Sequence, residues 1–529
     1  MKHAVIVESP TKARTIESYL GGDYAVLSSY GHIRDLPKGE LGVDTENNFA
    51  PRYVIPASLR KRVGELKKAV SEAEHVILAT DEDREGEAIA WHLKNVVSIV
   101  TDKIKRVEFN EITRKAIKRA LEESRGIDEN RVNAQLVRRI EDRWIGFELS
   151  KKLWKVFKNK ELSAGRVQTP VLGWIIERTS ESRKKKIVLS TKLSNRLTVF
   201  FENPRLKFPF HQLREYVKRL RARITDLVEE ERTVHPFPPY TTDTLLKDAS
   251  SKLKFSASKT MRLAQDLFEL GLCTYHRTDS TTVSTFGLRL AKEYINEKYP
   301  SLFVGRRYLK EGAHECIRPT RPIDTERLRS LISLGLLRFP RKLTREHFQL
   351  YDMIFKRFIA SQMKEVVVIY QRFKVRLNGN EVSVERPVEI KEEGFNKVAP
   401  LKVEERVEEG EYGVMYAKIL KLPAAWPFSQ GEVISLMKER GIGRPSTYAK
   451  ILSTLLERKY VFEKRNRLFN TKLGFKVYMY LKRKFGEYIS EETTRKLETL
   501  MDEVEGGKID YQHVLSELYD EIIKLRERI

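Results

Sequence analysis

Apolar and polar positions change rhythm several times along the chain, and each change predicts a different kind of element. Within residues 1–125, short apolar runs ("HAVIV", "HVILAT", "RVEF") alternate with amphipathic stretches such as "TKARTIESYL" and "GEAIAWHLKNVV". That alternation predicts an α/β sheet. From Glu122 to Thr179 apolar residues recur at spacings of three and four, as in "VNAQLVRRIEDRWIGFELSKKLW", which predicts helix. Charge accumulates at "TSESRKKK" and the period breaks. The segments "RLTVFFE" and, much later, "VVVIYQRFKVRL" then alternate as strands do. Between them Tyr240 to Gln362 reads as mainly helical, and the C-terminal part does too.

Similar material therefore brackets an inserted helical region on both sides, and the simplest architecture is nested. The expected units are an α/β domain over 1–125, a helical domain from 126–183 and 427–529, a β-rich arch from 184–234 and 356–426, and a helical lobe over 235–355. A chain of 529 residues is too long for one core in any case. The fold class expected is multidomain α/β plus α.

Composition narrows the function. Lys and Arg number 99 against 74 Asp and Glu, a net charge of +25, which favours a polyanionic partner such as nucleic acid. The two cysteines, Cys273 and Cys316, are too few for a disulfide framework or a four-cysteine zinc module, and read as small buried residues. The start lacks a signal-peptide pattern and no run of about 18 apolar residues occurs. A cytoplasmic protein without membrane segments is expected.

Two carboxylate-bearing strand ends stand out. "VILATDEDREGEAIAWHL" runs from a buried strand into Asp81, Asp83 and Glu85, with a helix from about Glu85. Acids this dense at the carboxyl edge of a parallel sheet repel one another, and a divalent cation held by oxygens, Mg2+ in the usual case, relieves the repulsion. A solvated acidic turn capping the helix is the alternative. "HAVIVESPTKARTIESYLGG" puts Glu8 at a strand end, Ser9 at an N-cap, Pro10 at N1 and Lys12 in the first turn, with Gly21 closing the helix. A helix N-terminus beside a lysine suits a phosphate oxygen, although Lys12 would also pass as an exposed helix lysine. No Walker A pattern occurs, so no ATP site is expected on this chain.

"SASKTMRLAQDLFELGL" predicts a helix capped by Ser256 and stopped by Gly271, with Gln265 and Glu269 one turn apart. Tyr275 and Arg277 follow in "TYHRTDS". A phenol with an ordinary pKa near 10 is a poor nucleophile, and an adjacent guanidinium is the group expected to make its ionised form accessible or to clamp a phosphate. The alternative is a half-buried core tyrosine with a surface arginine. In "EGAHECIRPT", His314 stands beside Glu315 and near Arg318, and "LSAGRVQTP" and "GIGRPSTYAK" join glycine, arginine and a hydroxyl or amide as phosphate contacts do.

Together these stretches resemble the type IA DNA topoisomerases, in that family's order over nearly the whole chain. "VIVESPTKA" and "ATDEDREGEAIAWHL" look like its Toprim domain, and "NEIT", "VNAQLVRRIEDR", "LSAGRVQTPVLGW", "TYHRTDS", "GAHECIRPT" and "GIGRPSTYA" follow. The middle and end look most like the topoisomerase half of reverse gyrase, and "DEDREGEAIAWHL" like bacterial topoisomerase I. No helicase half is expected ahead of it, and no zinc.

The resemblance implies a toroid of Toprim domain, β-arch, nucleophile-bearing lobe and helical DNA-binding domain. It implies Tyr275 as the nucleophile that leaves a 5'-phosphotyrosine, with Arg277 stabilising the transferred phosphate. Glu8 and Lys12 would sit at the scissile phosphate, Lys12 protonating the leaving 3'-oxygen, with His314 also at the centre. Asp81, Asp83 and Glu85, with Glu8, would hold Mg2+. Arg138, Arg139, Asp142 and Arg143 match single-strand-binding positions, Asp142 positioning a neighbouring arginine. Arg166, Gln168, Gln265, Glu269, Thr278, Asp279, Arg444, Ser446 and Thr447 match positions around the strand, and His32 and Glu111 match as well. The implied substrate is single-stranded or underwound DNA. Two modes stay open: relaxation by the chain alone, or service as the topoisomerase subunit of a split reverse gyrase with a separate ATP-dependent helicase subunit. The rivals are a Toprim nuclease without a covalent intermediate and an inactive DNA-binding relative.

Overall fold

The computed structural model describes residues 2–527 apart from 39, 206–208, 210–214, 216 and 310–313. The last gap removes the first residues of "EGAHECIRPT" from the described chain.

Strand β1 (His3–Val7) lies inside a parallel sheet, paired with β2 (Tyr24–Ser28) on one side and β5 (His75–Leu78) on the other. A two-residue hairpin, β3 (Val43–Asp44) with β4 (Ala50–Pro51), intervenes in sequence. β6 (Ile104–Arg106) completes the order β2-β1-β5-β6. Helices α1 (Pro10–Glu17), α2 (Arg60–Ser71) and α3 (Arg84–Val97) connect these strands. Strand residues point alternately to the two faces, and here the faces have different partners. Ala4, Ile6, Val76 and Leu78 pack with Val63 and Leu66 of α2 and Leu93 of α3. Val5, Val7, Ile77 and Ala79 share a core with residues some two hundred positions on, among them Leu263, Leu267 and Phe268.

After α4 (Arg114–Glu122) comes α5 (Glu129–Phe157), whose 29 residues span about 43 Å at 1.5 Å per residue. Asp128 caps its start by accepting from the amides of Asn130 and Arg131. α6 (Gln168–Arg183) follows, and the chain then enters an antiparallel sheet. That sheet is ordered β11-β10-β9-β12-β7-β8. Its first passage gives β7 (Lys185–Leu193), β8 (Thr198–Glu202) and β9 (Arg221–Val234). Its return gives β10 (Val366–Leu377), β11 (Asn380–Glu392) and β12 (Gly410–Pro423).

Between the passages lie α7 (Thr242–Asp248), α8 (Ala257–Glu269), α9 (Thr285–Lys298), α10 (Thr325–Ser333) and α11 (Arg345–Ser361). α11 continues across residues 355 and 356, where the sequence reading divides lobe from arch. The C-terminal part holds α12 (Gln430–Glu439), α13 (Tyr448–Glu457), the hairpin β13 (Val461–Lys464) with β14 (Arg467–Asn470), α14 (Lys472–Phe485), α15 (Glu491–Glu505) and α16 (Tyr511–Glu527). It shares one core with α5 and α6, through Trp144, Ile175, Val433, Leu497 and Leu515.

Three local expectations need correction. α1 ends at Glu17 with Ser18 as its cap, so Gly21 does not close it. The strand read in "RVEF" ends at Arg106; the Val107 amide still donates to the Leu78 carbonyl at 2.9 Å, and Val107 and Phe109 are buried beyond the strand. The β13 and β14 hairpin interrupts a region expected to be helical throughout. No helix among the described residues is long and apolar enough to cross a membrane.

Candidate active site

At the carboxyl ends of β1 and β5 the first charged groups meet. Ser9 caps α1 by accepting from the Lys12 amide at 3.0 Å, with Pro10 at N1, and this turn aims the Lys12 side chain back over the strand end. Lys12 is 1% exposed and donates to Glu8 Oε2 at 3.0 Å and Asp81 Oδ1 at 2.8 Å, so it is no surface lysine. Glu8 also accepts from the Asp81 amide at 2.5 Å. Burial, then the Asp81 charge, pushes the Glu8 carboxyl up to about 7. Burial alone would lower the Lys12 ammonium, but Asp81 and Glu8 together raise it above its ordinary value. Asp81 is held below the carboxylate range by Lys12 and then Arg277, against its burial.

The next turn is fixed by backbone fit. Asp83 caps α3 by accepting from the Gly86 amide at 2.8 Å. A Cβ at Gly86 would stand 2.2 Å from the Asp81 carbonyl, so only glycine lets the acidic loop fold onto the helix start. Beneath it Arg106, 1% exposed, donates to the carbonyls of Asp81 at 2.7 Å and Thr80 at 2.9 Å and pairs with Glu87 at 3.1 Å.

α8 delivers the tyrosine. Ser256 caps it, and Gly271 ends it at φ +67, where a Cβ would stand 2.2 Å from the Ile112 carbonyl oxygen. The chain then runs extended, with the Tyr275 amide donating to the Asn110 carbonyl at 2.7 Å. The Tyr275 hydroxyl donates to Asp83 Oδ2 at 2.8 Å. Arg277 bridges the same oxygen at 3.2 Å and Glu85 Oε2 at 2.9 Å. His32 stands 3.8 Å from the other Glu85 oxygen, and His32 with Arg277 holds the Glu85 carboxyl down to about 2 despite burial. Tyr275 is 2% exposed, its ring edge-on to Phe268 at 5.2 Å.

Burial first, and the Asp83 charge second, raise Tyr275 well above its ordinary value, and Arg277 does not offset them. The guanidinium is already engaged by two carboxylates, so the phenol stays protonated and serves as a donor.

Two cavities meet at this rim, both bordered by Asp83, Glu85 and Arg277. The larger, about 830 Å³, is also lined by His32, Arg138, Arg139, Asp142, Arg166, Gln168, Thr278, Asp279, His314, Arg444, Ser446 and Thr447. The smaller, about 380 Å³, takes Glu8, Asp81, Gln265 and Glu269, with Gln265 donating to Glu269 at 3.0 Å. Burial raises the Glu269 carboxyl.

Residues 126–516 match the family model described as DNA topoisomerase, and residues 3–112 match the Toprim domain. The full-length topoisomerase I of Thermotoga maritima superposes with a TM-score of 0.82 at 34% identity, over 99% of this chain and 90% of that one. The chain belongs to the type IA DNA topoisomerases. Among curated relatives of this chain, the reverse gyrase of Pyrococcus furiosus is 45% identical over 98% of the chain and 47% of the relative. Reverse gyrase 1 of Aquifex aeolicus is 46% identical over the same shares. The chain thus spans about half the length of the curated relatives it matches.

The remaining residues named from the resemblance have these partners in the structure. Arg138 pairs with Glu498 at 3.6 Å and Arg139 with Asp35 at 2.5 Å; Asp142 acts on Arg138 through charge alone, behind Glu498. Arg143 lies off the cavity and donates to the Pro37 carbonyl at 3.2 Å. Arg166 is buried between Glu141 at 3.2 Å and Glu521 at 2.6 Å. Arg444 pairs with Asp502 at 2.6 Å. The Thr278 hydroxyl accepts from the Ser280 amide, bracing its own loop. His314 stands 3.6 Å from Glu82, on the cavity that Asp83 also borders. Glu111 pairs with Arg318 at 2.9 Å, across from sheet domain to lobe.

Sequence reasoning passed over Glu82, Arg106 and the acids Glu498, Asp502 and Glu505. Burial, then Glu108, pushes the Glu82 carboxyl up to about 8. Spacings of four and three put the α15 acids on one helix face, a signal that was available. Nothing in "RVEF" marks Arg106 as a buried hub.

The acidic rim fits a hard divalent cation in donor chemistry, since Glu8, Asp81, Asp83 and Glu85 offer carboxylate oxygens alone at one cavity edge. Among the described residues these acids do not converge as a set of three ligands, and Lys12 and Arg277 pair with them.

Proposed function

We propose that this chain changes DNA supercoiling by cutting and resealing one strand through a 5'-phosphotyrosine on Tyr275. The observation that carries the reading is the hydrogen bond from the Tyr275 hydroxyl to Asp83, which brings a side chain of the lobe to the acidic rim of the sheet domain.

In cleavage, the Tyr275 oxygen bonds to phosphorus and the bond from phosphorus to the 3'-oxygen breaks. The phenolic proton passes to the Asp83 carboxylate, its present acceptor. Lys12, held protonated by Glu8 and Asp81, gives a proton to the leaving 3'-oxygen. Arg277 turns from the carboxylates to the charge on the transferred phosphate. Rejoining reverses each transfer, and the phosphodiester energy stays in the covalent bond, so neither step needs ATP. Asp81, Asp83, Glu85 and Glu8 would hold Mg2+, which screens the phosphate and the acids from one another when bound. The larger cavity, edged by Arg138, Arg139, Arg444 and the amide of Gln168, receives a single strand or an underwound duplex. The chain works in the cytoplasm, where its DNA substrate lies.

The test is a labelled single-stranded oligonucleotide stopped with detergent. Protein should be trapped on the 5' side of the break, and Tyr275→Phe should trap none. Free 5'-phosphate ends from the variant would make the chain a nuclease. Chelation of Mg2+ should let cut strands accumulate, because rejoining suffers more than cleavage.

The relatives favour a second reading, as a reverse gyrase subunit that acts with a separate helicase, since identity is higher to reverse gyrases than to the topoisomerase I structure. Negatively supercoiled plasmid with the pure chain and Mg2+ decides between them. Relaxation without ATP makes it self-sufficient, whereas positive supercoiling only with ATP and a helicase partner supports the second reading.

A further inference from the structure

Away from both cavities, the end of α5 and the length of α14 carry cations without acids. Residues 151–160 hold five lysines, and residues 472–484 hold four lysines and Arg483, with no Asp or Glu in either stretch. Nine of these ten side chains are exposed. The two stretches are neighbours, since Phe157 packs edge-on against Tyr480 with 5.9 Å between ring centroids. Among the described residues none of the ten is held in an ion pair. The arch behaves oppositely. There Arg232 pairs with Glu385, Lys374 with Asp226 and Arg406 with Glu389. This surface therefore carries ten cations without an ion partner among the described residues, where like charges repel until a polyanion arrives.

We propose that this surface is a second DNA contact, and that it takes duplex. The identity of the polyanion rests on the strand chemistry proposed above. α5 links the two places: Arg138 and Arg139 border the larger cavity, and the helical rise sets Lys151 and Lys155 about 18 to 24 Å further along the same rod. That distance is about five to seven base steps of duplex at 3.4 Å each. Lysine predominates, and its ammonium is a point charge without the planar fork that reads base edges, so contact is with phosphates whatever the sequence. A duplex presents a phosphate about every 1.7 Å of axis, the density such a surface neutralises best. The single strand is held at the cavity, and its double-stranded continuation lies on the lysines.

The test compares a hairpin carrying a single-stranded arm with that arm alone, by fluorescence anisotropy over a range of salt without Mg2+. The variant combines Lys151→Gln, Lys155→Gln, Lys476→Gln and Arg483→Gln. Hairpin affinity should fall tenfold or more at low salt, and the slope of log affinity against log salt should shrink by about 3 to 4, at ~0.9 per phosphate contact. Affinity for the arm, and its cleavage by the variant, should not change, which also shows the variant folded. An unchanged hairpin slope overturns the proposal, as does an equal loss on arm and hairpin. So does wild-type binding to phosphatidylglycerol vesicles that the four substitutions abolish while hairpin affinity survives. Should wild type fail to cut the arm, the proposed strand chemistry falls, and the hairpin slopes still decide the duplex contact.

Discussion

At the scale of single residues, charge is balanced in the closed site with little to spare. Lys12 answers two carboxylates while almost wholly buried, so Lys12→Met leaves Glu8 and Asp81 facing each other uncompensated. A loss of about 3 to 5 kcal/mol is expected from denaturant unfolding at pH 8, the usual cost of removing one partner of a buried pair. Strand cleavage should fall with it. Glu141 gives a pH test: burial pushes its carboxyl up to about 8 in spite of Arg166. A folded-state value above the unfolded one means that its contribution is fully present below about 4.5 and is lost as pH rises through about 8. Thermal unfolding of wild type should therefore drop between pH 5 and pH 8.5 more than that of Glu141→Gln. The sequence made Tyr275, Lys12 and the acids legible because their types and order follow the family motifs. Their ionisation was not legible, since it depends on burial and on which acid each arginine meets, as Arg139 with Asp35 illustrates.

At the scale of elements, capping residues and period located most helices and strands. Ser9, Asp83 and Ser256 cap as their chemistry requires, and β10 spans the alternating segment that predicted it. The misses have physical reasons. Gly21 follows a helix already ended by Ser18, and the β13 hairpin is too short to show a period of two against its helical surroundings. Gly271 was legible as a stop but not as an interface residue. It holds φ +67 and leaves no room for a Cβ, which would stand 2.2 Å from the Ile112 carbonyl oxygen. Gly271→Ala should cost more than about 1 to 2 kcal/mol, the left-handed penalty alone, and should lower the melting temperature in calorimetry. The clash lies between lobe and sheet domain, so the variant should also rejoin cut strands more slowly than it cuts them.

At the scale of the whole molecule, the lobe and the sheet domain are joined as the two sides of one core. One face of the parallel sheet shares its core with α8, so lifting the lobe exposes Val5, Val7 and Ile77 as well as Leu267 and Phe268. Polar latches add to this: Glu111 to Arg318, Asn110 to Glu315, and the acids to Tyr275 and Arg277. Glu111→Gln removes one latch without emptying the core. Hydrogen exchange of residues 271–279 should quicken several-fold, corresponding to roughly 1 kcal/mol of easier opening. Nesting was legible from the two bracketing β segments. The shared core was not, because periodicity reports that a face is buried and never against what.

The bond from Tyr275 to Asp83 has one more consequence. The Tyr275 hydroxyl has its proton committed to Asp83, and its ring is walled by Phe268 and His276. An electrophile that labels phenols should mark Tyr30 and Tyr416, 59% and 55% exposed, long before it reaches Tyr275. On the proposed chemistry, Tyr275 is thereby shielded from accidental acylation or nitration until a phosphate draws the guanidinium away.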